Sequence, residues 1–488
     1  MNLNENDFAG EFKIRREKLA DLTESGENPY LVTKYEVDSN TKQITGNFEL
    51  FEGKDVKIAG RMMSRRNMGK ANFINIADFY GNIQAYVRME DVGGEKYASF
   101  KKWDIGDIIG IEGKVFKTKT GETSIHAYGI KLLSKSLSPL PEKFHGLKDA
   151  DIRFRQRHLD LIMNSDQKQL FVKKQLFWNT MRNFLSEKGF LEVETPVLEV
   201  TSGGAAATPF KTHHNALDID VFLRISMGEL WQKRLLVAGF DKTFEIGRQF
   251  RNEGMSSEHL QDYTQLEFYW AYADCGDGME LVKEMYRKVV FAVTGGLKFV
   301  SRGFEIDMDK EWVIYDFETV IKDSFGIGIY ESDTKQIKDK LDELKVAYDP
   351  KQNYWRLIDV LWKAARKELA GPGFLVGQPI QLNPLPKRKK EDPRKADQIQ
   401  IILAGSEMGN GYSELNDPVD LENRFREQRA MGEAGDTEAH SHDQDFIEAL
   451  ACGMPPAFGF GVSERLFSFI MDKSIRECVL FPLMKPEK

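Results

Sequence analysis

Between Lys54 and Leu133 the chain is cut into five short runs of alternating apolar and polar residues, set apart by glycine-bearing turns. The runs are Val56–Gly60, Phe73–Ile76, Ile83–Val87, Ile108–Ile111 and Ser124–Ala127. Period-two alternation sends successive side chains to opposite faces of a strand, so each run has one face to bury. Five strands in so little chain predict a small closed barrel, and the OB-fold is the common five-stranded solution. Just before Phe73 stands the basic loop Arg65-Arg66-Asn67-Met68-Gly69-Lys70. Cations beside an aromatic ring are what single-stranded nucleic acid needs, phosphate neutralisation together with a stacking surface. A purely structural barrel that keeps Phe73 in its core is the other reading of the same pattern.

The barrel cannot be the whole molecule. At 488 residues the chain exceeds one core, and about 150 residues per domain predicts two to four domains. Residues 7–25 carry a helical pattern in which Phe8, Phe12, Leu19 and Leu22 are apolar; Arg15 and Arg16 there either face solvent or lie along a phosphate backbone. The stretch 134–163, with Pro139 and Pro141, is expected to be a linker. From Ser165 a helical stripe of Leu170, Phe177, Met181, Phe184 and Leu185 runs to a stop at Gly189. Strands and helices then mix without a regular βαβ repeat, which predicts an antiparallel α+β sheet. No G-x-x-x-x-G-K-[ST] loop or helix-opening G-x-G-x-x-G is present, so P-loop and Rossmann nucleotide sites are unsupported.

Composition narrows the setting. No apolar run approaches the roughly 18 residues of a membrane span, and the start of the chain lacks a secretory pattern. Cys275, Cys452 and Cys478 are far apart, which argues against a disulfide framework or zinc site and fits a cytoplasmic protein. A net charge of −8 leaves nucleic-acid contact to local basic patches.

The stretch richest in chemistry is Phe250-Arg251-Asn252-Glu253, followed by a polar loop and Tyr263-Thr264-Gln265-Leu266-Glu267-Phe268-Tyr269. Alternation places Gln265, Glu267 and Tyr269 on one face of a half-buried strand. A fixed cation facing fixed carboxylates suits a ligand that bears both an anion and an ammonium. Alone, an Arg-x-Glu is more often an ordinary surface charge pair.

With its neighbours, this stretch resembles a family. Gly60–Lys70, Phe144-His145-Gly146-Leu147, Arg155–Leu161, Phe190-Leu191-Glu192-Val193-Glu194-Thr195-Pro196, Phe250–Glu253 and Arg465 follow the order of motifs in class II aminoacyl-tRNA synthetases. Gly203–Ala207, His213–Asp218 and Gly409–Asp417 resemble the bacterial-type lysyl-tRNA synthetases within that class. The resemblance implies an extension over residues 1–50, an anticodon-binding OB barrel over 51–135, a linker over 136–164 and a class II antiparallel-sheet catalytic domain over 165–488. It implies L-lysine, ATP and tRNA(Lys) as substrates, Mg²⁺ as cofactor, and a homodimer through the motif 1 region, Phe190–Pro196.

Residue by residue, it implies Arg251 and Arg465 as the catalytic clamp on the ATP phosphates, with Glu253, His259, Tyr263 and Glu407 as further ATP contacts. Gly204, Glu229, Arg251, Glu267, Tyr269, Asn410, Tyr412 and Glu414 would hold lysine, with Glu267 and Glu414 toward the ε-ammonium. Arg65, Arg66, Phe73 and Gln84 would meet the anticodon.

The chain also departs from the pattern. Of two expected metal carboxylates, Glu407 is present and Gln400 replaces the other, keeping an oxygen but no charge. Glu258 stands where an arginine is usual, Leu260 replaces an asparagine, and motif 3, Gly459–Arg465, is one residue short. These departures keep two alternatives open, an RNA-binding or regulatory relative without adenylation, and a ligase acting on a protein. The attached barrel counts against the second.

Overall fold

The five alternating runs become strands β1 (Asp55–Asn67), β2 (Ala71–Ala77), β3 (Asn82–Arg88), β4 (Ile108–Lys117) and β5 (Thr123–Ser134). They close into a barrel in the order β1-β2-β3-β5-β4, as the alternation predicts. β2 buries Asn72, Ile74 and Ile76 and leaves Phe73 and Asn75 half-exposed; β3 buries Ile83, Ala85 and Val87. Phe73 is therefore on the outer wall, and the apolar filling comes from its sequence neighbours. This computed structural model describes residues 5–141, 149–201, 207–433 and 443–486. It divides into two units, residues 1–169 with 484–488, and residues 170–483.

Two charged features of the first unit differ from the sequence-based expectation. Arg15, on the helix Glu5–Glu24, is only 6% exposed and donates to Glu11, to the Ile105 carbonyl and to the Ser136 carbonyl. It ties the helix to the barrel and is not turned to a phosphate backbone; Arg16 beside it is exposed. The expected linker carries the short helices Ala150–Arg155 and Arg157–Met163, stapled by a fully buried Arg157–Asp160 pair at 2.7 Å. Phe144–Leu147 lies outside the described residues.

The second unit contributes β6 (Leu191–Glu192), β7 (Leu198–Glu199), β8 (Lys211–His214), β9 (Ile219–Leu223), β10 (Lys242–Phe250) and β11 (Asp262–Ala271). After these come β12 (Lys298–Ser301), β13 (Phe304–Asp307), β14 (Val313–Asp316), β15 (Gly373–Val376), β16 (Gln398–Leu403), β17 (Ser406–Ser413) and β18 (Ala457–Ser463). Eight of them form one sheet in the order β14-β15-β16-β17-β18-β11-β10-β6. Its inner pairings are antiparallel, and only the edge pairs β14–β15 and β10–β6 run parallel.

The helices Ser165–Glu187 and Cys275–Thr294 supply the main core against this sheet. Phe177, Met181, Phe184, Met285, Tyr286 and Val289 pack with Phe244, Leu266, Phe268, Phe458 and Phe460. Each such side chain stabilises by about 1.5–3 kcal/mol when fully buried. Because alternate strand residues point the other way, filling this face leaves the opposite one for polar side chains. A charged knot fixes the approach to the sheet: Arg224, 2% exposed, donates to Glu245 at 2.7 Å and to the Thr195 carbonyl at 3.1 Å. Thr195 Oγ1 donates to the second oxygen of Glu245 at 2.6 Å, which pins Glu194–Pro196 to β10.

Candidate active site

Strand register alone assembles the site. Across β16, β17, β18 and β11, Gln400 pairs with Asn410, Asn410 with Gly461, and Gly461 with Glu267. One row along, Gln398 pairs with Tyr412, Tyr412 with Gly459, and Gly459 with Tyr269. Leu266 and Phe268 point into the core, so Gln265, Glu267 and Tyr269 share the other face, as the alternation requires. These side chains line a cavity of about 530 Å³, within the usual size of a small-molecule pocket. Arg251, Glu253, His259, Tyr263, Glu267, Tyr269, Gln400, Glu407, Asn410, Tyr412, Glu414 and Arg465 all line it. Gly204 lies outside the described residues, and Glu229 is placed by its backbone only, in the helical turn Gly228–Gln232.

The cavity is polarised along β11. At the Tyr269 end sit two buried carboxylates, Glu267 and Glu414, 5% and 0% exposed. Glu267 accepts from Gln265 Nε2 at 2.6 Å, Tyr269 Oη at 3.1 Å and the Met227 amide at 3.3 Å. These three donors fix the orientation of the Glu267 carboxylate. The wall here is bare backbone. A Cβ on Gly459 would overlap Glu414 Oε1 and come 2.7 Å from Tyr269, and one on Gly228 would overlap Tyr269 Oη. Glycine at 459 leaves room for Glu414 across β18, and glycine at 228 leaves room for the Tyr269 hydroxyl.

At the Tyr263 end stand two arginines. Arg251 leaves β10 with its guanidinium 5.7 Å from the Tyr263 ring centre and one donor 3.5 Å from the Ile225 carbonyl. Arg465 opens the helix Arg465–Ile470, directly after Glu464. Glu464 is fully buried; it accepts from the Thr264 amide at 3.2 Å and pairs with Lys174. Nε of both Arg251 and Arg465 is buried with no hydrogen-bond partner among the described residues. Burial lowers the Arg465 pKa against the opposing pull of Glu258, whose carboxylate lies 2.7 Å from Arg465 Nη2. Burial also lowers the His259 pKa, helped by Arg465, so His259 is a neutral imidazole at pH 7. Burial raises the Tyr263 pKa. Orphaned buried donors on two cations are an invitation to an anion.

Glu407 Oε1 accepts the Trp362 indole N–H at 2.7 Å and lies 3.6 Å from Arg366 Nε. Gln400 sits on the neighbouring strand and lines the same cavity. Among the described residues no group of three His, Cys, Asp or Glu is placed to hold a metal ion. One carboxylate and one amide oxygen lining the same cavity fit a Mg²⁺ that arrives on phosphates and keeps its waters, rather than one caged by protein.

Sequence reasoning missed Arg356, Asp359 and Trp362, which enter the cavity from the helix Tyr354–Ala365, and Gln378 from the turn after β15. It also missed Lys233, whose Nζ lies 2.6 Å from Glu414. No local pattern marks them; the helix announces its buried face, not which polar edge will overlook a cavity.

On the barrel, Phe73 stacks on Tyr86 with centroids 4.7 Å apart, and Tyr86 lies 5.6 Å from His126. Gln84 donates to Glu122 at 2.9 Å and accepts from Ser124 at 3.0 Å. Arg66 is exposed. Arg65 turns inward instead: its guanidinium lies 4.3 Å over Phe100 and donates to Asn72, the Phe100 carbonyl and the Trp103 carbonyl. These bonds, from Nε and Nη1, hold the half-buried guanidinium against the barrel.

The family of class II tRNA synthetases (D, K and N) matches residues 149–485, and the OB-fold nucleic acid binding domain family matches residues 56–133. The chain is 45% identical to a lysine–tRNA ligase of Pelotomaculum thermopropionicum, covering 99% of this chain and 96% of the relative. A lysine–tRNA ligase of Thermoanaerobacter pseudethanolicus is 46% identical over 97% and 96%, and one of Clostridium novyi 44% over 99% and 96%.

Proposed function

Since the chain belongs to the class II tRNA synthetases (D, K and N), we propose how its side chains divide the work of joining L-lysine to tRNA(Lys) at the expense of ATP. The observation that carries this reading is the polarised cavity, with two orphaned guanidinium donors at one end of β11 and two buried carboxylates at the other. Lysine activation needs the same polarity, an ammonium far from the phosphates and an α-carboxylate beside them.

The attacking carboxylate of lysine is ionised at neutral pH, so adenylate formation needs alignment and charge neutralisation rather than a general base. Arg251 clamps the carboxylate and α-phosphate with its planar fork, and Arg465 meets the terminal phosphate. Tyr263 covers the adenine, while Glu253 and the neutral His259 contact the nucleotide. Glu267 and Glu414 face the ε-ammonium, with Tyr269, Asn410 and Tyr412 closing the pocket and Glu229 and Gly204 taking the α-amino group. An apolar isostere would strand the two carboxylates, the kind of penalty that rejects a wrong substrate by about 10⁴-fold. Glu407 and Gln400 are the residues that would hold a Mg²⁺ arriving on the phosphates, and the ion would supply further charge neutralisation there.

Arg65, Arg66, Phe73 and Gln84 meet the anticodon on the barrel. Residues 1–50 form an extension, 51–135 the barrel domain, 136–164 the connection and 165–488 the catalytic domain. Leu191, Val197, Leu198 and Val200 are 39–65% exposed around motif 1, and a second copy of the chain covers them in a homodimer. The reaction runs in the cytoplasm, where its substrates are, and all three cysteines are unpaired. No helix among the described residues is long and apolar enough to cross a membrane.

The test is lysine-dependent ATP–pyrophosphate exchange, followed by transfer of labelled lysine to tRNA(Lys). Exchange that ignores lysine, or none at all, overturns the reading.

A further inference from the structure

The helix Tyr354–Ala365 buries a stripe of Leu357, Ile358, Leu361, Trp362 and Ala365, which packs with Phe317, Ile321 and Leu341 in a core of its own. Trp362 is 1% exposed, and its ring lies 5.1 Å from that of Phe317, tilted by 31°. Packing thus fixes where its indole N–H points, and the N–H donates to Glu407 Oε1 at 2.7 Å. A buried indole N–H needs an acceptor, and any carbonyl would do. Here the acceptor is a carboxylate on the cavity wall, with its side chain 26% exposed. One turn further on, Arg366 faces the same oxygen with its Nε at 3.6 Å, too far for a hydrogen bond. Its Nη1 donates instead to the Gly405 carbonyl at 2.8 Å, in the turn that joins β16 to β17. Both contacts to Glu407 fall on Oε1, so Oε2 is the oxygen available to an ion.

A neutral donor fixes a carboxylate without cancelling its charge, whereas an arginine at hydrogen-bond distance does both. Charge is scarce at this end of the cavity, because Gln400 brings an amide oxygen where a carboxylate would add attraction for a cation. With a single charged ligand, the orientation of that ligand matters more. Groups that hydrogen-bond a metal's ligands typically control its affinity by about 10–100-fold. We propose that Trp362 is a positioning residue for Glu407, holding Oε2 ready for the Mg²⁺ that arrives with the nucleotide. The helix Tyr354–Ala365, which carries no ligand in this scheme beyond its indole N–H, thereby becomes part of the phosphate end of the site. The inference rests on the assignment of Glu407 to the ion.

The test measures by calorimetry how tightly the full-length protein, without lysine, binds the α,β-methylene analogue of ATP, with and without Mg²⁺. The readout is the gain in affinity that Mg²⁺ brings. Trp362→Phe keeps a ring against Phe317 and removes the N–H. In that variant the gain is expected to fall by about tenfold, while affinity for the analogue without Mg²⁺ stays as in wild type. Glu407→Gln loses the gain on its own, and adding Trp362→Phe to it changes nothing further, because the two act as one unit. Where Trp362→Phe fails to fold, benzothienylalanine at position 362 keeps the two-ring shape, lacks the N–H and is expected to give the same loss.

A protein without the indole N–H that keeps the full Mg²⁺ gain overturns the proposal. So does one that binds the analogue more weakly to the same extent with and without Mg²⁺, the mark of a helix that only shapes the cavity. A further loss of the gain on the Glu407→Gln background also overturns it, since the indole would then act by another route. Failure of the underlying assignment looks different. There Glu407→Gln itself keeps the gain, or wild type shows none, and the role of Trp362 falls with that of Glu407.

Discussion

Neutralising Glu258 should make ATP bind more tightly. Its carboxylate holds Arg465 Nη2 at 2.7 Å, with the side chains 30% and 20% exposed, so the pair is partly shielded from solvent. The loop that carries it is pinned: Ser256 Oγ lies 2.8 Å from His259 Nδ1, the Glu258 amide donates to Ser256 Oγ at 3.1 Å, and the Ile475 amide donates to the Ser257 carbonyl at 2.9 Å. A terminal phosphate that uses Arg465 must first take it from Glu258. Fully exposed pairs are worth about 0.2–1 kcal/mol and hydrogen bonds to charged groups about 1.5–3 kcal/mol. The partial exposure puts this one between them, at about 1–2 kcal/mol. Glu258→Gln is therefore expected to lower the KM for ATP by about 5–30-fold in lysine-dependent exchange, because Gln keeps the shape and removes the competing charge. Inhibition by AMP, which carries no terminal phosphate, should be unchanged. An ATP KM that stays put or rises would refute the idea that the carboxylate competes for this arginine. Equal tightening of AMP would show that the loop, not the charge, had changed.

Three further outcomes follow from the site. Glu267→Gln should raise the KM for lysine on the order of 10–100-fold with little change for ATP, measured by varying each substrate in the exchange assay; near wild-type lysine dependence would remove Glu267 from the pocket. Phe73→Ala should cost about 1–3 kcal/mol in tRNA charging and leave exchange intact, whereas an equal loss in both assays would make the ring a structural element of the barrel. Gln400→Glu should lower the Mg²⁺ concentration needed for half-maximal exchange, since a carboxylate replaces an amide in the cavity that Glu407 lines; identical titrations would place Gln400 outside the coordination shell.

What the sequence made legible was whatever repeats with the period of its own backbone. The barrel followed from five alternating runs, and the acidic face of β11 from one more. Charged residues that fold back onto the protein were not legible. Arg15 and Arg65 look like surface cations in sequence, yet one receives its partners from Ile105 and Ser136 and the other lies on Phe100. Alternation tells which way a side chain starts, not whether a long guanidinium bends back to satisfy carbonyls at the end of a barrel. Lys233 was hidden for a similar reason. Its partner Glu414 is 181 positions away in the chain (414 less 233), and a lysine on a short helix is usually solvated. The family resemblance reached residues that line the cavity and passed over the side chain behind Glu414.

The backbone wall formed at Gly459 bears on how this pocket responds to selection. A pocket walled by side chains escapes an inhibitor by exchanging one side chain for another. At Gly459 there is no side chain to exchange, and any replacement adds atoms where Glu414 and Tyr269 already lie. A compound that takes its contacts from this stretch of main chain meets a surface that mutation changes only by filling it, and filling it displaces Glu414 and Tyr269 as well. Resistance would have to arise elsewhere, at walls built from side chains such as Asn410. A ligand designed to lean on β18 and avoid those walls leaves the enzyme little room to change.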